Sequence, residues 1–481
     1  MNVWVKRSLS TAAVAGGLFF AGAAAAHADT GTAHDEGLLG GKASAPIEIG
    51  SIDLGVQSSS SSSHSSTVSH TGKQGTTTST KQSTKSTKDS IGLSTGKITA
   101  DPAATLKSVT RSTTHRSDGA VSGKQSQHTQ GSVQAPVSIG GVKLTGQHEE
   151  TSTSAEKVTR SDKHGTSVSE RRTVRGSKTG GSLETGSITL NPNGSLDTRQ
   201  VAGGSADRRG NSSIFSHSAT DAAGSLPISF GGLKAQGWSD TYSLDYSKQK
   251  STGKHGSRTE ERSDERATHT GAGVEVGRLV ADPQAELSDR RSFLGQTDRH
   301  GRYTLISDQA TTGSLSAPFR FDGVSGFVTS QQASRTVRAT EVANQHRTVR
   351  KIVTDESASS QTIAGHSGAV TGDPSLDFAD HRSSLIAGDR HSSIVRRDHD
   401  GYAAYAFPYS YDGFGVAGDF ANASRHSVID QVADRHGVTT RTETDQKANR
   451  TLPAYNFQGF HGSPEGVVDF SRISQLTQLD K

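Results

Sequence analysis

Histidine is the side chain best suited to chemistry in this 481-residue sequence, which has 20 histidines and no cysteine. Imidazole can bind a metal ion or change its charge near neutral pH. Six histidines recur in short polar turns: His164, His255, His346 and His436 in one kind, and His300 and His391 in another. Turns two strands apart at one sheet edge are roughly 10 Å from each other, whereas zinc needs nitrogen at about 2.0–2.1 Å. We therefore expect solvated turn residues and no metal site, with a pH-responsive surface as the alternative.

Carboxylates and nucleophiles give no catalytic pattern. Aspartates recur directly before proline, at Asp101, Asp282 and Asp373, and Asp-Pro steps are typical of turns. The sequence has no His-Glu-x-x-His motif and no phosphate-binding loop. The lack of cysteine excludes thiol catalysis and thiolate metal sites. We predict no enzymatic activity, no catalytic residues and no cofactor.

The composition limits the kind of fold that could hold functional residues in place. Only 30% of residues are hydrophobic and 5% aromatic, below the roughly 45–50% apolar content of ordinary globular domains. A large conventional core cannot be filled from this composition. The 52 basic residues are interleaved with 48 acidic ones, which argues against nucleic acid as a partner.

Proline spacing shows how the chain is organised. One class of prolines stands at Pro46, Pro136, Pro227, Pro318 and Pro408, and a second class at Pro102, Pro192, Pro283, Pro374 and Pro464. In both classes the successive spacings are 90, 91, 91 and 90 residues. A fixed period of this length indicates tandem structural repeats.

The segment APVSIGGVKL (135–144) shows the pattern that follows each proline of the first class. Alternating apolar residues lead to Gly140-Gly141, and a further apolar residue comes next. Two-residue Gly-Gly loops suit type I′ hairpins, which would place Ile139 and Val142 on one face. A glycine bulge within one bent strand is the competing geometry.

This short segment resembles the β segments of chaplins, the surface-assembling proteins of filamentous actinobacteria. The likeness is confined to that segment of each repeat, and no property of chaplins is transferred to this chain.

Apolar corners marked by both proline classes alternate with polar turns about every 45 residues. The arms between them are rich in Ser, Thr and Val, which disfavour helix, and they show no 3.6-residue period. We predict an all-β fold: tandem repeats of about 90 residues, each made of two hairpin halves. Long polar antiparallel strands would form an extended meander, either solenoid-like or a closed array.

The N-terminus is typical of a secretory signal peptide. Lys6 and Arg7 precede an apolar run, and Ala26-His27-Ala28 is a small-x-small cleavage site. We assign residues 1–28 to the signal peptide and predict a secreted or cell-surface protein without integral membrane insertion. The repeat units then span residues 29–118, 119–209, 210–300, 301–391 and 392–481. Unit 29–118 is low in complexity, which leaves part of it open to disorder.

The predicted function is structural. We expect a non-enzymatic surface protein that self-associates into fibres or a layer, with Ile139, Val142 and the ten proline corners as architecture. One alternative is an adhesin that binds cell-wall or host glycans through its C-terminal repeat, where Tyr402, Tyr405 and Tyr409 are candidate binding residues. A second alternative is a disordered Ser/Thr-rich extracellular coating.

Overall fold

The computed structural model describes residues 33–49, 52–69, 77–117, 120–160, 167–206, 211–252, 257–343, 348–388, 393–412, 414–432, 438–457, 460–462 and 466–479. The predicted signal peptide and Pro464 lie outside these residues. So do the turn histidines His164, His255, His346, His391 and His436, which leaves His300 as the turn histidine that is described.

The fold is all-β, as predicted: across the described ranges every regular element is a strand, and antiparallel pairing joins the strands of each unit into a meander. The chain divides into two units, Met1–Asp207 and Arg208–Lys481.

The first unit contains ten strands, and each pairs with the next along the chain or with the next but one. The strands are β1 (Ala33–Ile49), β2 (Ile52–Ser69), β3 (Thr77–Thr95), β4 (Ile98–Ala100), β5 (Ala103–Ser117), β6 (Ala120–Ile139), β7 (Val142–Arg160), β8 (Ser167–Thr185), β9 (Ile188–Leu190) and β10 (Asn193–Ala206). The low-complexity serine and threonine segment lies mainly in β2 and β3, which pair along their full length.

The second unit has a similar order of long and short strands, with one additional short strand, Tyr409–Tyr411, near the C-terminus. They are β11 (Ser212–Phe230), β12 (Leu233–Ser251), β13 (Arg258–Val276), β14 (Leu279–Ala281), β15 (Gln284–Thr297), β16 (Tyr303–Phe321), β17 (Val324–Ala343), β18 (Thr348–Ser367), β19 (Val370–Gly372), β20 (Ser375–Gly388), β21 (Ser393–Ala406), β22 (Tyr409–Tyr411), β23 (Phe414–Val432), β24 (Val438–Phe457), β25 (Phe460–Gly462) and β26 (Gly466–Leu479).

Two-residue turns connect the strands at one edge of each unit. Gly140 and Gly141 have φ angles of 55° and 91°, and Ile139 pairs directly with Val142. Positive φ at both central positions is the geometry of a type I′ hairpin, so the chain reverses here rather than bulging. Asp322 takes the same place with φ 41°, because aspartate tolerates the left-handed region better than most residues.

The Asp-Pro steps lie within strand lines rather than at reversals of the chain. Leu93 faces Ala100 and Ser90 faces Ala103, so β4 and β5 keep one register on either side of Asp101-Pro102. Proline has no N–H to donate, which leaves a local gap in the ladder. The chain turns instead between Thr95 and Ile98, close to the apolar residues that flank the proline.

The two proline classes meet across neighbouring strands. The Asp101 amide donates to the Pro136 carbonyl at 3.1 Å, and Asp282 donates to Pro318 in the same way. Asp373 and Pro408 repeat the contact at 3.1 Å. The nitrogen of the proline in each Asp-Pro step cannot donate a hydrogen bond. The aspartate amide directly before it does donate, so the carbonyl of the facing proline of the first class still accepts a hydrogen bond.

No hydrophobic or charged side chain is buried among the described residues. Stability must therefore come from backbone ladders and from cross-strand side-chain pairs, each typically contributing about 0.2–1 kcal/mol. The Ser216 and Ser247 hydroxyls lie 2.7 Å apart, as do those of Ser288 and Thr312. Hydroxyl pairs of this kind explain how a serine-rich and threonine-rich chain can form strands without a core.

Across the described part of the chain, we find no helix with the length and apolar character needed to cross a membrane.

Candidate assembly surface

One face of the second unit carries an unbroken row of mostly apolar side chains beside the tight turns. Successive residues of a strand point to opposite faces of a sheet, so the pairing register decides which residues share a face. The first row consists of Phe230, Leu233, Val276, Leu279, Phe321, Val324, Ser367, Val370, Tyr411 and Phe414.

The second and third rows on this face are equally free of charge. The second row consists of Ile228, Ala235, Val274, Ala281, Phe319, Gly326, Gly365, Gly372, Tyr409, Val416 and Tyr455. The third row consists of Leu226, Gly237, Ala272, Pro283, Ala317, Val328, Ile363, Pro374, Phe407, Gly418 and Pro453. We call these three rows the apolar band and the side that bears them the band face.

The apolar band is large and open to solvent. Rows on one face are about 7 Å apart and neighbouring strands about 4.8 Å apart, so the band covers on the order of 1,000 Å². Leu279, Tyr409 and Tyr411 remain 36%, 51% and 60% exposed. Charged side chains begin on the band face only in the sixth row, with Arg266, Asp289 and others. The side chains of the apolar band are therefore uncharged and exposed to solvent over a wide area.

Aromatic rings of the band lie over glycines on adjacent strands. A Cβ added to Gly372 would come within 2.6 Å of the Tyr409 ring, and one added to Gly418 within 2.5 Å of the Phe407 ring. Phe407 in turn stacks on Phe420 with ring centres 5.9 Å apart and planes 15° apart, and lies 5.5 Å from Tyr405. The glycines allow the rings to lie flat against the backbone, so the aromatic side chains form a continuous surface.

The first unit has an aliphatic counterpart of this band. Ile139 and Val142 lie opposite each other on one face, and Val137 and Leu144 form the next pair on that face. Ile139 and Leu144 are 51% and 49% exposed. Ile139 and Val142 therefore both belong to an exposed apolar surface.

The opposite faces of the units are polar at the same distance from the turns. Lys143 pairs with Glu184 at 3.5 Å and Lys234 with Glu275 at 3.2 Å. Each tight-turn edge thus presents one apolar face and one charged face. Single-residue alternation produces this difference, since a shift of one residue would exchange the two faces.

The three candidate binding tyrosines do not share one surface. Tyr405 and Tyr409 lie on the band face, whereas Tyr402 pairs with Ala379 and Ala423 on the opposite face. There Tyr402 lines an open groove of about 1160 Å³. The groove floor is a row of alanines, and His381, Asp400 and Arg425 form a polar row along it.

Ion pairs fix polar side chains far from the tight turns. Arg335 donates two hydrogen bonds to Asp308, from Nε to Oδ1 at 3.1 Å and from Nη2 to Oδ2 at 2.8 Å. These hydrogen bonds hold the pKa of the Asp308 carboxyl below its ordinary value, although partial burial opposes the shift. This ion pair therefore links the neighbouring strands β16 and β17 through two charged hydrogen bonds.

One group of side chains could hold a metal ion. His426, Glu443 and Asp445 bring possible ligand atoms within 4.8 Å of one another on the band face, beyond the apolar band. Sequence reasoning missed this group because the residues lie on two strands and only the register of β23 and β24 brings them together. Spacing alone offered one weak signal, the alternation of Glu443 and Asp445 along a strand.

No protein-family model, curated protein or solved structure matches the chain.

Proposed function

We propose that this protein is an exported, non-enzymatic structural protein that self-associates through its apolar band. The observation that carries the proposal is the exposed, charge-free surface of the second unit. The largest apolar patch on a typical soluble monomer is about 300–600 Å², and a standard interface covers about 800 Å² on each partner. The apolar band, on the order of 1,000 Å², is larger than the usual patch on a monomer and large enough for one side of a standard interface.

A second copy of the chain is the partner that the band fits best. Two copies can pack band against band, about 10 Å apart, as the sheets of a sandwich do. No charged side chain would be buried in such a contact, so its formation carries no cost of ion desolvation. The charged opposite faces would remain in water. Lateral pairing of strand edges would then extend the assembly into fibres or a surface layer.

We also propose that the chain is a tandem array with a period of about 90 residues. The tight turns at Gly140-Gly141, Gly231-Gly232 and Asp322-Gly323 are 91 residues apart in each step and have positive φ at both positions. The contacts Asp101–Pro136, Asp282–Pro318 and Asp373–Pro408 support the same period. Each repeat would add an equal width to the band, which links the repetition to the assembly.

Paired substitutions on the two faces test the assembly. Phe321→Asp with Tyr411→Asp adds two charges to the band at side chains that are 55% and 60% exposed. Ser325→Asp with Ser410→Asp adds the same charge to the opposite face near the same turns. In sedimentation velocity and electron microscopy of the mature protein, the wild type and the serine variant should assemble, and the band variant should stay monomeric.

A second pair of variants applies the same test to the first unit. Ile139→Asp with Val142→Asp should lower the yield of polymer, while Thr99→Asp with Ser138→Asp, on the opposite face, should leave it unchanged. A wild type that is monomeric at every concentration would overturn the proposal. So would unchanged polymer yield in the band variants, or a monomer that instead binds phospholipid vesicles through the band.

A second candidate function is that of an extracellular adhesin that binds glycans through residues 392–481. The Tyr402 groove favours it, because an aromatic ring beside His381, Asp400 and Arg425 offers a stacking surface together with hydrogen-bonding groups. Binding to a glycan array should then be lost in Tyr402→Ala and kept in Tyr405→Ala, which lies on the band face. Equal binding by both variants would exclude the groove.

A disordered coating is the alternative that we do not propose, because the described ranges between residues 33 and 479 form paired strands.

A further inference from the structure

We propose that His426, Glu443 and Asp445 form a binding site for a divalent transition-metal ion of the zinc class. The proposal is independent of self-association, since it concerns side chains outside the apolar band. It rests on the register of two neighbouring strands and on the chemistry of the three donor groups.

The register of β23 and β24 builds the site. His426 faces Asp445 directly, and Val428 faces Glu443 one step further along the same face. The His426 Nδ1 atom lies 2.6 Å from Asp445 Oδ1, and ligand atoms of all three residues lie within 4.8 Å of one another. Zinc ligands bind at about 2.0–2.2 Å, so an ion between these atoms needs only small side-chain rotations.

The donor set suits zinc chemistry. One imidazole nitrogen and two carboxylate oxygens are ligands that Zn²⁺ accepts, with water in the remaining position. Two carboxylates also balance the charge of a divalent ion. All three residues are half-buried, which limits the hydration that the ion and its ligands must lose.

The charged residues around the site still allow a divalent ion to bind. Arg441 Nη2 contacts Glu443 Oε2 at 3.5 Å, and the second oxygen of that carboxylate stays available as a ligand. Arg472 faces Asp445 from the next strand, and this positive charge reduces the affinity. On the other side, His399 faces His426 but is held by Asp380 at 2.5 Å. We therefore infer a three-residue site of moderate rather than very high affinity.

A second histidine and carboxylate pair provides a matched control. His381 Nδ1 lies 3.1 Å from Glu356 Oε1, on the opposite face of the sheet. Among the described residues, His381 and Glu356 do not form a group of three possible ligands. A histidine–carboxylate contact is thus common to both places. A second carboxylate, that of Asp400, faces His381 from the next strand, but it does not complete a group of three possible ligands there.

The test is titration of the full chain, freed of metal by a chelator, with Zn²⁺ in a calorimeter and with Co²⁺ as a spectroscopic probe. Wild type and His381→Ala should share one saturable site with the visible absorption of nitrogen- and oxygen-bound Co²⁺. His426→Ala and Glu443→Gln remove direct ligands and should weaken that site by at least about tenfold, the smallest loss that is usual even for an outer-shell partner. Circular dichroism confirms that each variant keeps its strands, and Glu443→Gln serves if His426→Ala does not fold. The proposal would be overturned if His426→Ala or Glu443→Gln bound the metal as tightly as wild type. It would also be overturned if His381→Ala lost as much affinity as these variants, or if wild type showed no saturable binding.

Discussion

The ring of Tyr409 lies over Gly372, its direct partner on the neighbouring strand, so closely that a Cβ at residue 372 would come within 2.6 Å of the ring. Gly365 is the next residue in the same row, and a Cβ there would meet nothing within 4 Å. Two glycines side by side thus have different roles: one receives an aromatic ring, and the other faces open space.

Alanine substitution should separate these roles. Gly372→Ala should lower the free energy of unfolding by about 1–3 kcal/mol, as overpacking typically does, because the Tyr409 ring must move. Gly365→Ala should be neutral or slightly stabilising, since it only restricts the unfolded chain. Urea unfolding followed by circular dichroism measures both. Equal effects of the two variants would show that the ring does not occupy this position.

The Gly140-Gly141 turn should depend on backbone conformation alone. Gly140→Ala should cost about 1–2 kcal/mol, the usual penalty for the left-handed region in a residue with a Cβ, because φ at Gly140 is 55°. Gly146→Ala is the control: a Cβ at either position meets nothing within 4 Å, and Gly146 lies within strand β7. Thermal unfolding of both variants checks the prediction, and a Gly140→Ala protein as stable as the Gly146→Ala protein would refute the turn geometry.

The Asp308–Arg335 pair should make stability depend on acid. The pKa of Asp308 is lower in the folded chain than in the unfolded chain, so the pair stabilises the fold above the ordinary carboxyl pKa of about 4. This contribution is lost as the pH falls through the folded pKa. Because Arg335 is largely exposed, we expect a few tenths to about 1 kcal/mol at pH 7.

Asp308→Asn should remove that contribution at pH 7 and leave stability at pH 2 nearly unchanged. Asp377→Asn, an exposed aspartate of β20, is the control. Urea unfolding at the two pH values gives the comparison. The assignment fails if Asp308→Asn and Asp377→Asn show the same pH dependence as the wild type.

Hydrogen exchange should follow the ladders rather than burial. Without a buried core among the described residues, protection must come from strand pairing, so amides of β12 and β17, which pair on both sides, should exchange slowly. The turn at Asp298–Arg302, which is held by local hydrogen bonds, should exchange quickly. Uniformly fast exchange over residues 136–479 would exclude the sheet.

Much of the strand architecture could be predicted from the sequence, because Gly-Gly and Asp-Gly pairs between apolar residues specify hairpins locally. The alternation around Ile139 and Val142 also indicated a shared face. The Asp-Pro steps were expected to turn the chain, yet Pro102 lies in a strand line, because a missing N–H removes one hydrogen bond without reversing the backbone.

The candidate sites depend on register, which a single sequence does not specify across distant strands. Tyr402 and Tyr405 are close in the chain but lie on opposite faces, since an odd separation along a strand changes the face. His426 and Asp445 are distant in the chain but adjacent in the sheet. Only the pairing of complete strands determines such neighbours.

A meander whose strands touch only their neighbours has a mechanical consequence. Tension applied along either unit would peel away one hairpin after another, since no buried core among the described residues ties distant hairpins together. Each rupture would release roughly 45 residues, or about 150 Å of extended chain. The protein could therefore lengthen stepwise under load and shorten again by local refolding, as an elastic tether does.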